Sequence, residues 1–405
     1  MNRLTAFILA MATALAAGPA AADIEAVTFS GFATLGAVVS QEKDLQFLRM
    51  GIDNPGTDRL NFGSDSVLGA QGNFRFSGST EAVVQVLTRR TPTNDYNPRA
   101  SLAFISFAPT PELTLRAGRL RVPAFMLSDS FDINYAHPWG RPPNEVYSLN
   151  PFADLDGIDL LYRTRIGSLD LELHPYFGRS RVDIMEFGRA SLSRLRGLNI
   201  GLSSGSLTLH FGYSRASLDL HWGDREFDLL QNVLNTLPQG KRILAEMHGK
   251  GASESFTSAG FHWDDNRWLL IGEYAVRRSS AFVNSAHGWH LTAGRHLGPV
   301  TPYVKVARSR QDSRIVDRQL SEALLPPPVA SFVEAFNVSR NTSQRSIAAG
   351  LRWDLHTNAA MKIELARNYI DRNGWGSFQP TRDILLTRVS GRTVNTLSLS
   401  IDVVF

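Results

Sequence analysis

The sequence predicts an all-β protein: a closed, transmembrane antiparallel β-barrel of about sixteen strands. Three observations carry that expectation. The chain opens on an export signal, its remainder alternates in polarity in segments of roughly ten residues, and the connections between those segments are short and long by turns.

Met1 to Arg3 form a short basic start, Leu4 to Gly18 an apolar stretch, and Pro19 with Ala20-Ala21-Ala22 a small-residue cleavage pattern. Residues 1–22 therefore read as a secretory signal peptide cleaved after Ala22. The apolar run is shorter than the roughly 20 residues a spanning helix needs. No later unbroken apolar run is long enough to cross a bilayer as a helix, which leaves a soluble exported protein or a membrane barrel.

Composition narrows the chemistry. Among 405 residues there is no cysteine, which excludes a disulfide scaffold, a thiolate zinc site and a cysteine nucleophile. Lys+Arg 42 against Asp+Glu 38 leaves a net charge of +4 with no basic block, so nucleic acid is not an expected partner. Lysine occurs only at positions 43, 241, 250, 305 and 362, and the other basic residues are arginines. A guanidinium stays charged and matches carboxylates and phosphates, so an arginine-rich interior would interact with anions.

Period-two reading predicts strands near 27–38, 68–77, 80–89, 100–108, 112–119, 157–164, 168–178, 194–203, 206–215, 254–264, 267–277, 286–296, 300–309, 344–356, 359–370 and 393–405. The last is the clearest. Leu397, Leu399, Ile401, Val403 and Phe405 fall on one face and Thr396, Ser398, Ser400 and Asp402 on the other, as a wall between lipid and water requires.

The connections at 77–79, 108–111, 165–167, 203–205, 264–266, 297–299 and 356–358 are tight, and long ones lie between them. With the N-terminus periplasmic, every tight turn falls in the periplasm and every long loop outside. A soluble β-sandwich gives no reason for that order. Tyr213, Trp222, Trp263, Trp268, Tyr274, Trp289, Trp353, Tyr369 and Trp375 are candidates for interfacial girdles.

The opening strand Phe29-Ser30-Gly31-Phe32-Ala33-Thr34-Leu35-Gly36, the sixteen-strand count and a closing strand that ends in Phe405 resemble Gram-negative outer-membrane porins. That resemblance implies the bacterial outer membrane, lipid and lipopolysaccharide around the barrel, a homotrimer, and Phe405 as the signal read by the barrel-assembly machinery. It also implies that the third external loop, about 120–156, folds into the lumen as a constriction. The segment Arg116-Ala117-Gly118-Arg119-Leu120-Arg121-Val122-Pro123 leads into it and resembles the strand-to-loop transition of specific porins with arginine-lined eyelets.

The expected constriction residues are Arg116, Arg119, Arg121, Asp129, Asp132, Arg141 and Glu145, a ring with both signs of charge. Expected lumen-lining residues are Arg75, Arg89, Arg163, Arg277, Lys305 and Arg352, with Lys362 and the acids Glu81, Asp170, Glu172, Glu273, Asp354 and Glu364 on the same surface. Cross-strand pairing of these charges is the simpler role for each.

Other constellations are weaker. Gly201-Leu202-Ser203-Ser204-Gly205 matches a hydrolase elbow, yet alternation resumes at Leu207 and no helix follows, so a β-turn is expected. His287 falls on the opposite strand face from His290 and His296, which argues against one metal ion held by all three. Helical periodicity appears in two loops, after Asp224 (Phe227, Leu230, Leu234, Leu237) and after Ser321, where Pro326-Pro327-Pro328 interrupts it.

The expected function is passive diffusion of small hydrophilic solutes through a water-filled channel with a mild anion preference, without catalysis, cofactor or metal. The alternative is a structural or adhesive barrel with a blocked lumen and partner-binding external loops.

Overall fold

The computed structural model describes residues 24–50, 60–184, 188–223, 225–247, 249–381 and 387–405; the expected signal peptide lies outside them. Sixteen long strands form the wall: β1 (Ala26–Ser40), β2 (Val67–Ser77), β3 (Thr80–Arg89), β4 (Arg99–Thr110), β5 (Leu113–Arg121), β6 (Asp154–Ile166), β7 (Leu169–Ile184) and β8 (Gly188–Ser204), then β9 (Leu207–His221), β10 (Gly249–Asp264), β11 (Trp268–Ser279), β12 (Ala286–Arg295), β13 (Val300–Gln311), β14 (Gln344–His356), β15 (Ala359–Ile370) and β16 (Thr393–Val404). Each pairs antiparallel with its sequence neighbours, and β1 closes the sheet on β16 in register from Phe32↔Val404 to Ser40↔Thr396. A closed barrel leaves no unpaired edge, which is how a sheet satisfies its backbone in lipid.

Alternation sets the two faces. In β16, Leu399 and Ile401 are exposed on the outside while Ser398, Ser400 and Asp402 are buried inside. Val304, Ile347, Ile363, Leu365 and Phe177 continue that outer apolar band on other strands around the barrel. Among the described residues no helix is long and apolar enough to cross a membrane.

Strands β7 to β10 run several residues further outward than the sequence pattern predicts, and the reason is physical. Above Tyr213 the polarity inverts: Arg179, Arg181, Arg215 and His221 are exposed on the outer face, while Ala190, Leu192, Ala216, Leu218 and Leu220 are buried on the inner one. There the outer face meets water and the inner face meets protein.

That protein is helical. The helices are α1 (Asn144–Tyr147), α2 (Arg225–Thr236), α3 (Gly240–Met247), α4 (Arg318–Leu324) and α5 (Pro327–Ser339). The predicted stripe holds, with Phe227, Leu230 and Leu234 of α2 buried against Ile243, Met247, Val333 and Phe336; the predicted cap Asp224 lies outside the described residues. Ser321 is not a cap. Asp317 starts α4 by accepting from Leu320 N at 3.0 Å, and Pro326 precedes α5, so the prolines begin a helix and do not break one.

Candidate functional site

The third external loop, residues 122–153, leaves β5 and folds into the barrel. Its backbone and side chains are held from almost every side. Ser258 Oγ donates to Ala124 O at 2.7 Å, and Met126 N and Tyr147 OH donate to the two carboxylate oxygens of Glu273 at 2.8 and 2.6 Å. Trp139 Nε1 donates to Thr292 Oγ1 at 3.1 Å with its ring edge-on to His290, and Lys362 Nζ donates to Trp139 O at 3.0 Å. Ser346 and Gln344 donate to Glu145 Oε1 at 2.6 and 2.8 Å. From Val122 to Leu149 only Asp129 and Ala136 are exposed.

The expected constriction residues are thereby separated. Arg121 pairs with Asp132 at 2.9 Å, and Arg89 reaches the same carboxylate at 3.2 Å, all three buried or nearly so. Burial works to raise the Asp132 carboxyl, but the guanidiniums of Arg121, Arg89, Arg99 and Arg49 outweigh it and hold it well below the ordinary range. Arg141 pairs with Asp65 at 3.0 Å, bonds Ser398 and lies over the Phe47 ring, tying the loop to β16 and to the first external loop. Arg116 faces inward against Asp159, with His174 on the same carboxylate at 2.8 Å.

Arg119 departs from the expectation. Its register partner is Asp156, which bonds it at 2.8 Å and shares a strand face with the lipid-side Ile158. The next register pair, Leu120 and Leu155, is fully buried in the lumen. Gly118, at φ 133°, precedes Arg119, and a Cβ there would lie 2.3 Å from Ala103 O, so only glycine fits where β5 turns towards the loop. Alternation therefore puts Arg119 on the outer face.

The wall charges mostly act as ties. Arg352 bonds Asp354 at 2.8 Å and donates to His137 O at 3.0 Å, Arg277 donates to Leu149 O at 3.0 Å, and Lys305 pairs with Glu364 at 2.9 Å. Arg163 with Glu172, and Arg75 in register with Glu81, sit near the periplasmic mouth. On that side a polar recess of about 400 Å³ lies between the wall and the loop, lined by Gln71, Asn73, Glu81, Arg116, Arg121 and Asp129.

In the outer part of the barrel the inner face of β8 and β9 is apolar and covered by the helices, where an aqueous lining would be polar. The sequence reading missed Trp139, Tyr147 and Asp65 as loop anchors. The available signal was a run of large aromatics in a proline-rich loop, which an exposed loop would not need. Ser203 lies in β8, just before the turn at Gly205-Ser206, and bonds Thr208, while His210 bonds Ser258, so Ser203 and His210 do not pair. Among the described residues no cluster of three metal-ligating side chains occurs, and His287 and His290 fall on opposite faces as expected.

No family profile matches the sequence, and no curated protein is similar to it. Solved structures are similar in fold. The anion-selective porin of Comamonas acidovorans superposes with a TM-score of 0.53 at 14% identity, covering 94% of this chain and 99% of that one. OmpF of Salmonella typhi, in complex with daunomycin, gives 0.54 at 12%, covering 94% and 97%. A trimer form of OmpT, an outer-membrane protein of Vibrio cholerae, gives 0.53 at 11%, covering 94% and 99%.

Proposed function

Starting from a chain with the sixteen-stranded fold of outer-membrane porins, we propose that the protein is an outer-membrane channel for small hydrophilic solutes whose third loop controls passage. The carrying observation is the polar recess on the periplasmic side, where Arg116, Glu81 and Asp129 face a cavity that ends at the loop. Sixteen strands enclose room for an aqueous path, unlike small barrels filled by their own side chains. In this conformation the loop crosses the lumen, so its position sets how wide a path remains. Lipid, lipopolysaccharide and the barrel-assembly machinery are the partners this reading implies, and the trimer form of the Vibrio cholerae protein supports a homotrimer. Catalysis has no part in it.

Carboxylates at contact distance offset Arg116, Arg121 and Arg141, so any anion preference of the open channel is small. A second reading, a barrel with a blocked lumen and partner-binding loops, is favoured by the near-complete burial of residues 122–149. Single-channel recording of the purified protein in a planar bilayer decides. Stepwise conductance supports the channel, and its absence both in the wild type and after the loop anchors are cut supports the blocked barrel.

A further inference from the structure

Outward of the crossing loop lies a partly open cavity of about 170 Å³. Leu149 and Phe152 of the loop line it on one side, and Leu192, Leu195, Leu218 and Leu220 of β8 and β9 on another. These strand residues point inward, at positions that would be polar around an aqueous path, and helices α2, α3 and α5 pack over them. The wall is therefore built for an apolar occupant.

Packing alone does not account for the chamber's polar atoms. Glu254 and Trp222 both line it and are both at least nine-tenths buried, yet Glu254 Oε2 and Trp222 Nε1 have no hydrogen-bond partner among the described residues. Arg277 stands 3.9 Å from the other Glu254 oxygen, but its own donors are taken by Asn284 and by Leu149 O. Leaving a buried carboxylate oxygen and an indole N–H unsatisfied is costly, and a site that binds a polar group is one reason for it to persist.

We propose that this chamber is a binding site for a small monocyclic aromatic carrying one hydroxyl group. An apolar cavity of about 150 Å³ accepts a benzene ring, so the volume suits a single ring. The hydroxyl supplies what the wall lacks: its proton is donated to Glu254 Oε2, and its oxygen can accept from an N–H such as that of Trp222. The assignment does not rest on the channel reading, since a barrel that never conducts would still hold the ring.

The test uses the folded full-length barrel in detergent, with 4-fluorophenol and fluorobenzene as probes followed by fluorine NMR. Both should bind saturably at one site per chain, 4-fluorophenol roughly tenfold tighter, as one hydrogen bond to an otherwise unsatisfied buried group allows. Glu254→Leu should erase the difference while keeping fluorobenzene binding. Leu192→Trp should fill the chamber and abolish both, with heat-modifiable gel mobility reporting that the barrel is folded; if it does not fold, Ala216→Leu takes its place. The proposal is overturned by no saturable binding, by binding that scales with detergent and ignores the filling variant, or by a phenol advantage that survives Glu254→Leu.

Discussion

Gly31 and Phe405 exchange both of their backbone hydrogen bonds across the barrel seam, Gly31 N to Phe405 O at 2.7 Å and Phe405 N to Gly31 O at 2.9 Å. The Phe405 ring lies where a side chain on residue 31 would stand, 2.5 Å from the position of a Cβ. The last residue of the chain is thus a rung of the closing ladder as well as an exposed aromatic. Deleting Phe405 removes two closing bonds, together about 1–3 kcal/mol, and should lower the yield of assembled barrel while leaving secretion across the inner membrane intact. Gly31→Val should reproduce part of the loss by displacing the ring. Normal heat-modifiable barrel yield for both variants would refute the role.

Depth in the membrane gives the second prediction. Leu399→Arg, on the exposed outer face of β16, should cost about 2–4 kcal/mol in a lipid refolding titration. Ser400 is a poor inward control, because it is buried with its hydroxyl on Asp402 at 3.2 Å and Gly140 of the loop against it. Asn73→Arg, in the periplasmic recess, is the better one and should be tolerated. Equal costs for Leu399→Arg and Asn73→Arg would contradict the assigned faces.

Cutting the anchor at Arg141 should loosen the crossing loop. Arg141→Ala strands the buried Asp65 carboxylate, and breaking such a pair costs about 3–5 kcal/mol. Asp65→Asn combined with Arg141→Met should cost less. Both variants should raise the frequency or size of conductance steps over wild type, and unchanged currents in folded protein would show that the loop is held elsewhere.

Acid should act first on the external loops. Arg392 bonds Asp44 through two nitrogens at 2.6 and 3.0 Å, clasping the last loop to the first, and that hydrogen bond holds the Asp44 carboxyl below its ordinary value. A carboxylate depressed in the folded state stabilises fully above its unfolded pKa, about 3.9, and the contribution is lost as pH falls through the lower folded value. Arg392→Gln should therefore reduce amide protection of residues 41–48 at pH 6, and the difference from wild type should fade below about pH 4. A difference that does not shrink at all as the pH is lowered below about 4 would rule out this carboxylate.

Strand count, facing and turn positions were legible because lipid on one side and a polar interior on the other impose a strict period of two from Ala26 to Val404. The pattern failed where those surroundings change. In β7 to β10 the inversion above Tyr213 places Leu218 inside and Arg215 outside, so a reading tuned to one sign stopped too soon. Arg119 was misplaced because the resemblance to an arginine-lined eyelet was followed past Arg116, although plain alternation from an inward Arg116 already turns Arg119 outward. The partners of Arg141 and Glu145 were hidden because Asp65 and Ser346 are far away in sequence and meet them only once the barrel closes.

The tall strands also bear on which membranes the barrel can occupy. Seventeen residues of β8, tilted as barrel strands are, would stand roughly 40 Å high, well above the apolar band of ~25 Å typical of such barrels. Read by length alone, that side would demand a thick bilayer. The inversion removes the demand, since the outer part of the wall already carries arginine and serine outward and needs no acyl chains around it. Hydrophobic matching is then set by the short section between the periplasmic turns and Tyr213, and the elevated half-rim opposite the seam can stand among sugars or solvent without distorting the lipid.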